Sequence, residues 1–423
     1  MAPSPVTGPR SDPLAQIPPP SERRLALRVN AAAQRALRQG HPWLYAEAIT
    51  DLRGEGRPGD LAVIFDDHRR FLAIGLYDPG SPIRVRVLHH GSPTTIDRVW
   101  LRDRLLEADA RRAAIAGTET TGYRLVHGEN DALPGLVIDR YDTTLVIKLY
   151  TAAWLPWLPD LRSALKAALP GTGQASLVLR FSRDVKRRPE ALHGLTDGMW
   201  LAGAPVEEVI FMENGLRFAV DVVHGQKTGF FLDQRDNRAR VERLAAGKRT
   251  LNVFAYSGGF SLYAARGGAP EVTSLDASAP ALAAAKRNFD LNRHIPAVAA
   301  ARHTLLEADA FDALSDLHRL KRSYDLVIVD PPSLAAQQGQ VEGALQAYSR
   351  LTSLALGVLA PGGTVVLCSC SARVSAAEFI ATVSEAASRV GRPLHEIERT
   401  GHGTDHPVGF PEGAYLKALF ATA

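Results

Sequence analysis

The 423-residue chain is poor in sulfur, with two cysteines and three methionines. Both cysteines, Cys368 and Cys370, lie in one stretch, "GGTVVLCSCSARVS". A disulfide between residues this close would be strained, so no disulfide framework staples the fold. Lysine is scarce too, and arginine carries nearly all the positive charge. No apolar run reaches the roughly 18 residues that a membrane helix needs. The N-terminus, "MAPSPVTGPRSDPLAQIPPPSERR", has no apolar core of an export signal. It is Pro-rich and polar, so a disordered tail over residues 1–24 is expected. A reducing cytoplasm is the expected compartment. Internal repeats are absent.

What is present is ordinary for a globular protein: 46% hydrophobic and 22% charged residues. At roughly 100–200 residues per domain, the length suggests two to four domains. The net charge is +4, with a pI near 9.1. Arginine forks match phosphate geometry and stack on bases. A general bias toward Ala and Arg would give the same balance, so charge alone points only weakly to nucleic acid.

Residues 25–97 read as short strands with Gly/Pro punctuation. "IRVRVL" alternates strictly, with Ile83, Val85 and Val87 on one face and Arg84 and Arg86 on the other. A helix in "AAAQRALRQG" stops at Gly40. This is the pattern of a small β-barrel. Residues 98–120 read as a helical connector, on the strength of a helical periodicity over 96–116. Residues 121–215 read as a central α+β unit. In it "LVIDRY" and "TTLVIKLYT" are strands, "WLPDLRSALKAALPG" is a helix stopped by Pro170–Gly171, and "VIFMENGLRFAVDV" adds strands. From 216 to 423 buried strands alternate with helices, the pattern of a doubly wound α/β sheet.

Ligands of such sheets sit at the carboxyl ends of the strands. The first strand end is "LNVFAYSGGF". Ser257, Gly258 and Gly259 let backbone approach a ligand and open a helix. It is not G-x-G-x-x-G, so a dinucleotide is disfavoured. About 20 residues on, "TSLDAS" ends in Asp276, suited to accepting bonds from both ribose hydroxyls of a nucleoside cofactor. A helix N-cap is the plainer reading of Asp276. "LLEADAF" offers Asp309 toward an adenine amine, with Phe311 as an apolar wall; a surface turn is the alternative. "DLVIVDPPSL" delivers Asp330, and two prolines stiffen the loop behind it.

These four signals, in this order and spacing, resemble a class I S-adenosylmethionine (SAM)-dependent methyltransferase. The resemblance implies a Rossmann-like catalytic domain that binds SAM. Residues 254–259, with Phe254, Tyr256, Ser257 and Gly258, match the loop under the methionine part. Asp276 with Ala277 matches the ribose site, Asp309 with Ala310 the adenine site, and Asp330 the fourth-motif acid. Upstream, "HGQKTGFFLDQRDNR" resembles a segment of one branch of RNA methyltransferases. It implies that Phe230, Asp233, Gln234 and Arg235 flank the cofactor, and that Lys227 meets RNA.

"RALRQGHPWLYAEAI" resembles the opening of a PUA domain, a small RNA-binding barrel, with Arg35, Arg38, Gly40, His41 and Trp43 in the matching segment. A generic helix–turn–strand with a core Trp is the plain alternative. "YRLVHGENDALPGLVIDRY" and "DHPVGFPEGAYLKALF" extend the resemblance over nearly the whole chain from residue 25. It is similar to the RlmI-type 23S rRNA (cytosine-C5) methyltransferases. That implies an rRNA partner, no membrane, and room for a homodimer.

The two thiols have three readings. With His402 and His406 they would make a zinc tetrad, though C-x-C alone is poor evidence for one. They could be inert buried thiols. Or one attacks C6 of cytosine so that C5 can take a methyl group. In 5-methylcytosine RNA methyltransferases the nucleophile lies in a T-C-S-type motif after this strand. With Leu367 in the Thr place, Cys368 is the expected nucleophile and Cys370 the fallback. Many members carry a cysteine after D-P-P that assists product release; here that position is Ser333. Two alternatives stay open: methylation of another base atom with structural cysteines, and a SAM-binding RNA module with little turnover.

Overall fold

The computed structural model describes residues 12–169, 175–335 and 337–423. The chain clusters into two units. One runs to Val209 and takes back Asp221–Gly229; the other holds Ile210–Val220 and Phe230–Ala423.

The first unit opens with a six-stranded sheet of β1 (Leu25–Val29), β2 (Trp43–Tyr45), β3 (Ile49–Arg53), β4 (Leu61–Phe65), β5 (Phe71–Tyr77) and β6 (Ile83–His90). Their order is β2-β6-β5-β4-β1-β3. Helix α1 (Ala31–Arg38) is capped by Asn30, whose side chain accepts from the Ala33 N–H, and Gly40 ends the following turn at φ +86°. Strict alternation places Arg86 on the face of β6 opposite Val85 and Val87, and it is buried there. Its guanidinium donates to Glu129 at 2.9 Å, which offsets the desolvation.

Helices α2 (Arg98–Arg111) and α3 (Ala113–Ala116) follow, where the periodicity of 96–116 predicts them. The second sheet holds β7 (Gly122–His127), β8 (Leu136–Tyr141), β9 (Thr144–Leu149), β10 (Ser176–Phe181) and β11 (Met199–Ala202), in the order β11-β10-β9-β8-β7. Helix α4 (Leu158–Ala168) packs on it and α5 (Arg183–Lys186) follows β10. The expected Pro170–Gly171 stop lies outside the described residues. Residues 221–229 return to this sheet. Arg180 donates to the Val222 carbonyl at 2.7 Å, Lys148 to the Lys227 carbonyl at 2.9 Å, and Thr228 to Asp139 at 2.5 Å.

The disorder expected over residues 1–24 does not hold for the described part of that segment. Residues 1–11 lie outside the described residues, but Leu14 and Ile17 are buried in the core of the first unit. Asp12 pairs with Arg162 through two bonds of 2.8 and 2.6 Å. Two apolar side chains in a Pro-rich context suffice to dock this segment, because prolines lower the entropy lost on ordering.

The second unit begins with the ribbon β12 (Val209–Glu213) and β13 (Leu216–Val220). Sequence reading put β12 in the central domain; its packing puts all but Val209 here. Phe211, Phe218 and Phe230 pack against one another with ring centroids 4.9–5.7 Å apart, the first two stacked and Phe230 edge-on or tilted to them. The ribbon's edge is closed by side chains of a helix far along the chain. Asn292 accepts from the Arg217 N–H at 2.9 Å and donates to its carbonyl at 2.7 Å; Asn288 accepts from the Ala219 N–H at 2.8 Å.

The main sheet comprises β14 (Thr250–Val253), β15 (Glu271–Asp276), β16 (Arg302–Glu307), β17 (Tyr324–Val329), β18 (Leu359–Ser369), β19 (His395–Thr400) and β20 (Lys417–Thr422). The order is β16-β15-β14-β17-β18-β20-β19, with β20 antiparallel to both neighbours. Helices α6 (Arg235–Leu244), α7 (Gly259–Arg266), α8 (Ala279–Leu291), α9 (Pro296–Ala300), α10 (Ala310–Arg319), α11 (Val341–Gly357) and α12 (Ala376–Arg389) connect and cover the strands. This is the doubly wound α/β sheet expected, and it brings the ends of β14, β15, β17 and β18 to one edge.

Candidate active site

The loop after β14 is strained. Phe254 and Tyr256 hold φ of +61° and +47°, a region that bulky non-glycine residues seldom adopt. Gly258 caps α7 at φ +76°, and a Cβ there would lie 2.8 Å from Ala285. The Asn288 amide donates to the Ser257 carbonyl at 2.9 Å and pins the loop on α8. Asp276 at the end of β15 accepts from the Tyr256 N–H at 2.8 Å and the Ser278 N–H at 2.9 Å. Each carboxylate oxygen keeps a second lone pair for a ligand hydroxyl. Ala277 beside it is exposed.

These residues fit a SAM molecule. Ser257 Oγ is buried with no hydrogen-bond partner among the described residues, while Gly258 and Gly259 are required by packing, since a Cβ there would lie 2.8 Å from Ala285 and 3.0 Å from Arg238. Asp309 is exposed and caps α10. Its Oδ1 accepts from the N–H groups of Phe311 and Asp312, and Oδ2 lies outside the cap. Ala310 is buried behind it, and the Arg350 guanidinium sits 4.7 Å from the Phe311 ring.

The segment upstream of α6 fans out to three elements. Asp233 accepts from the Tyr415 hydroxyl at 2.9 Å. Gln234 donates to Asp330 at 2.9 Å and accepts from Asn237 at 2.6 Å. Arg235 pairs with Asp405 through bonds of 3.1 and 3.0 Å, and this charge holds the guanidinium pKa up against burial. Phe230 lies under the Arg238 guanidinium at 4.7 Å, and Arg238 is paired with the buried Glu213 at 2.7 and 2.6 Å. Phe231 meets Tyr256 edge-on at 5.1 Å, which ties this segment to the strained loop. Glu213, Asn237, Tyr415 and Asp405 carry no local sequence signal; each works through a partner distant in the chain.

The two cysteines occupy different surroundings. β18 ends at Ser369, so the period-two rule does not carry Cys370 to the face of Cys368. Cys368 is 1% exposed and lines an apolar pocket with Val329, Leu367, Phe379 and Val383. Burial first, then the Asp330 charge, pushes its thiol well above the ordinary range. Both effects oppose its expected role as attacking thiolate. Cys370 is half-buried beyond the strand end, its Sγ 3.8 Å from the Pro331 carbonyl in the D-P-P loop. Asp330 is half-buried at the end of β17. Ser333 reaches toward Ser371 Oγ at 3.5 Å, and Ser371 Oγ accepts from the Leu334 N–H at 3.0 Å.

Among the described residues no group of three His, Cys, Asp or Glu side chains could hold a metal. His402 instead accepts from the backbone N–H groups of Tyr415 and Leu416. No helix among the described residues is long and apolar enough to cross a membrane.

In the first unit, Arg35 and Arg38 are exposed on α1, and Arg38 pairs with Asp66 at 3.1 Å. Gly40 faces open space. His41, Trp43 and Tyr45 form an edge-to-face ladder with centroids 6.0 and 6.4 Å apart. The Trp43 indole N–H is committed to Glu129 at 2.8 Å, so the polar handle of this ring serves the fold. Lys227 sits at φ +53° in the returning segment.

Comparison with known proteins gives the same outline. A family model for S-adenosylmethionine-dependent methyltransferases matches residues 124–421, and one for PUA-like domains matches 27–90. A ribosomal RNA large subunit methyltransferase of Deinococcus radiodurans is 51% identical, over 95% of this chain and 98% of its own length. The ribosomal RNA large subunit methyltransferase I of Pseudoalteromonas translucida is 37% identical, over 93% and 98%. Among solved structures, a Streptococcus mutans chain described as a SAM-dependent methyltransferase has a TM-score of 0.78 at 22% identity, covering 94% of this chain and all of its own. A methyltransferase solved with S-adenosylhomocysteine (SAH) has a TM-score of 0.79 at 23% identity, covering 95% of this chain and 100% of that one.

Proposed function

Because the chain belongs to the S-adenosylmethionine-dependent methyltransferase family, we propose that it forms 5-methylcytosine in large-subunit rRNA, with Cys370 as the nucleophile. The rRNA substrate rests on the relatives that carry that activity in their names. The observation that carries the assignment to Cys370 is the contrast in burial between the two thiols at the end of β18. Shifting the T-C-S register by two puts Ser369 in the threonine place, hydroxyl for hydroxyl, and Ser371 in the serine place.

Ser257, Gly258, Asp276 and Asp309 would hold SAM, which when bound would supply an electrophilic methyl group. C5 of cytosine is a poor nucleophile on its own. The Cys370 thiolate would add to C6 and the C5–C6 π pair move to C5, which would take the methyl group as the sulfonium C–S bond breaks and S-adenosylhomocysteine leaves. Asp330, steadied by Gln234, holds the N3–N4 edge of the base and favours the addition. A base, solvent water at the simplest, would then take the C5 proton, the C–H pair re-forming the C5–C6 double bond as the C6–S pair leaves with the thiolate. The target base must leave its stack to reach the site. The exposed Arg35 and Arg38 supply phosphate affinity, and the His41–Trp43–Tyr45 ladder offers apolar surface to RNA.

Mass spectrometry of rRNA nucleosides with and without the gene tests the reaction. The expected result is loss of one 5-methylcytosine from the large subunit. Loss of a different modified base, or of none, overturns the reading. A 5-fluorocytosine RNA should trap an adduct whose peptide map names Cys370; an adduct on Cys368 overturns that assignment alone.

A further inference from the structure

Lys417 opens β20, opposite Ser369 in the antiparallel ladder, and is buried. Its ammonium donates to three backbone carbonyls: Ser371 at 2.6 Å, Val374 at 2.6 Å and Tyr415 at 3.1 Å. Three donors meeting three acceptors describe the protonated amine. Two of those carbonyls belong to the turn that follows Cys370. The serines flanking Cys370 are held from the other side, since the Tyr348 hydroxyl is 2.9 Å from both Ser369 Oγ and Ser371 Oγ.

We propose that Lys417 is the positioning residue of Cys370: it clamps the turn that presents the thiol to the D-P-P loop, and its buried positive charge favours the thiolate. This rests on the assignment of Cys370 as nucleophile. A lysine serves here because its compact ammonium fits a cage of three carbonyls, which a planar guanidinium does not match.

The charged and titratable groups around the thiol come from every packed element. Asp330 at the end of β17, Cys368 on β18 and Tyr348 on α11 share its electrostatic surroundings. None of these three carries positive charge, and the anionic Asp330 disfavours a thiolate nearby. Lys417 lies within reach of the Cys370 charge, and Glu378 of α12 faces the ammonium. Burial pulls the Lys417 pKa down to about 8, while Cys370 and Glu378 hold it up, so the ammonium prevails at neutral pH.

The test is alkylation of the full-length protein by iodoacetamide across pH, with peptide mapping to separate Cys370 from Cys368. The Cys370 titration midpoint should fall below the free-thiol value of about 8.5. In Lys417→Met it should rise by about one unit, slowing alkylation at pH 7 about tenfold. Lys417→Arg keeps the charge but its planar fork does not match the cage, so it should recover only part of the rate. SAM binding checks that each variant is folded, and Lys417→Gln replaces any that is not. A wild-type midpoint at or above about 8.5, or an unchanged midpoint in folded Lys417→Met or Lys417→Gln, overturns the proposal. A Cys370→Ser variant that still methylates rRNA overturns the nucleophile assignment instead, while the thiol titration continues to report on Lys417.

Discussion

Removing the carboxylate of Glu213 should cost far more than removing the whole ion pair. Glu213 is fully buried and Arg238 is 3% exposed. Glu213 accepts two bonds from Arg238 and one of 3.0 Å from the Tyr263 hydroxyl. In Glu213→Ala the guanidinium stays buried without its counter-charge, a loss of about 3–5 kcal/mol. For a unit of about 200 residues that is a fall in Tm of about 6–20 °C. The damage should also reach the SAM loop, because Arg238 lies over Phe230 and its Cδ would be 3.0 Å from a Cβ at Gly259. The apolar double variant Glu213→Leu with Arg238→Met should recover most of the loss. All five tryptophans precede residue 201, so their fluorescence reports the first unit alone. Hydrogen exchange by mass spectrometry, read on peptides of α6, α7 and β13, is the suitable assay. A Glu213→Ala cost under about 1 kcal/mol, or a double variant no more stable than the single, would refute the reasoning.

Four further outcomes are expected. Asp276→Ala should weaken SAM binding about 10- to 100-fold by calorimetry, as bonds to a charged acceptor are lost. Cys368→Ala should keep methyl transfer to rRNA and cost about 1 kcal/mol in denaturant unfolding, the price of a small cavity. Burial pulls the pKa of His303 down to about 4, where the unfolded chain has about 6.5. The unfolded state therefore takes up the proton first, so this contribution to stability is complete above pH 6.5 and is lost as pH falls toward 4. Comparing urea midpoints of the parent and His303→Phe at pH 7 and pH 5 checks it, and parallel declines would contradict it. Replacing both Arg35 and Arg38 by Ala should weaken RNA binding at all sequences and lower the salt slope by about two, measured by filter binding at several salt concentrations.

The acids at the strand ends were legible because they depend on local pattern. Asp276, Asp309 and Asp330 each follow a run of alternating or apolar residues, and such a run places its last residue at the sheet's edge. The different surroundings of the two cysteines were not legible, because they depend on where β18 stops. That point is set by pairing with β20, where Cys368 faces Ala418 and Ser369 faces Lys417, some 50 residues later. Composition misread residues 12–24 for a related reason: Leu14 and Ile17 find their partners in a core assembled from distant strands and helices. The burial of Arg86 was not legible either, because period two says which face a side chain takes but not what covers that face.

The asparagine seal on the β12–β13 ribbon has a consequence during synthesis. Asn288 and Asn292 lie 69 and 75 residues beyond the backbone groups they satisfy. At about 5–20 residues per second, the ribosome takes about 4 to 15 s to supply them. Throughout that interval the nascent chain carries an open strand edge beside Phe211 and Phe218, the kind of surface that pairs with another chain. The ribbon is therefore the segment on which holding chaperones should act, and polysomes crowded with this message are where its loss would first show as aggregation.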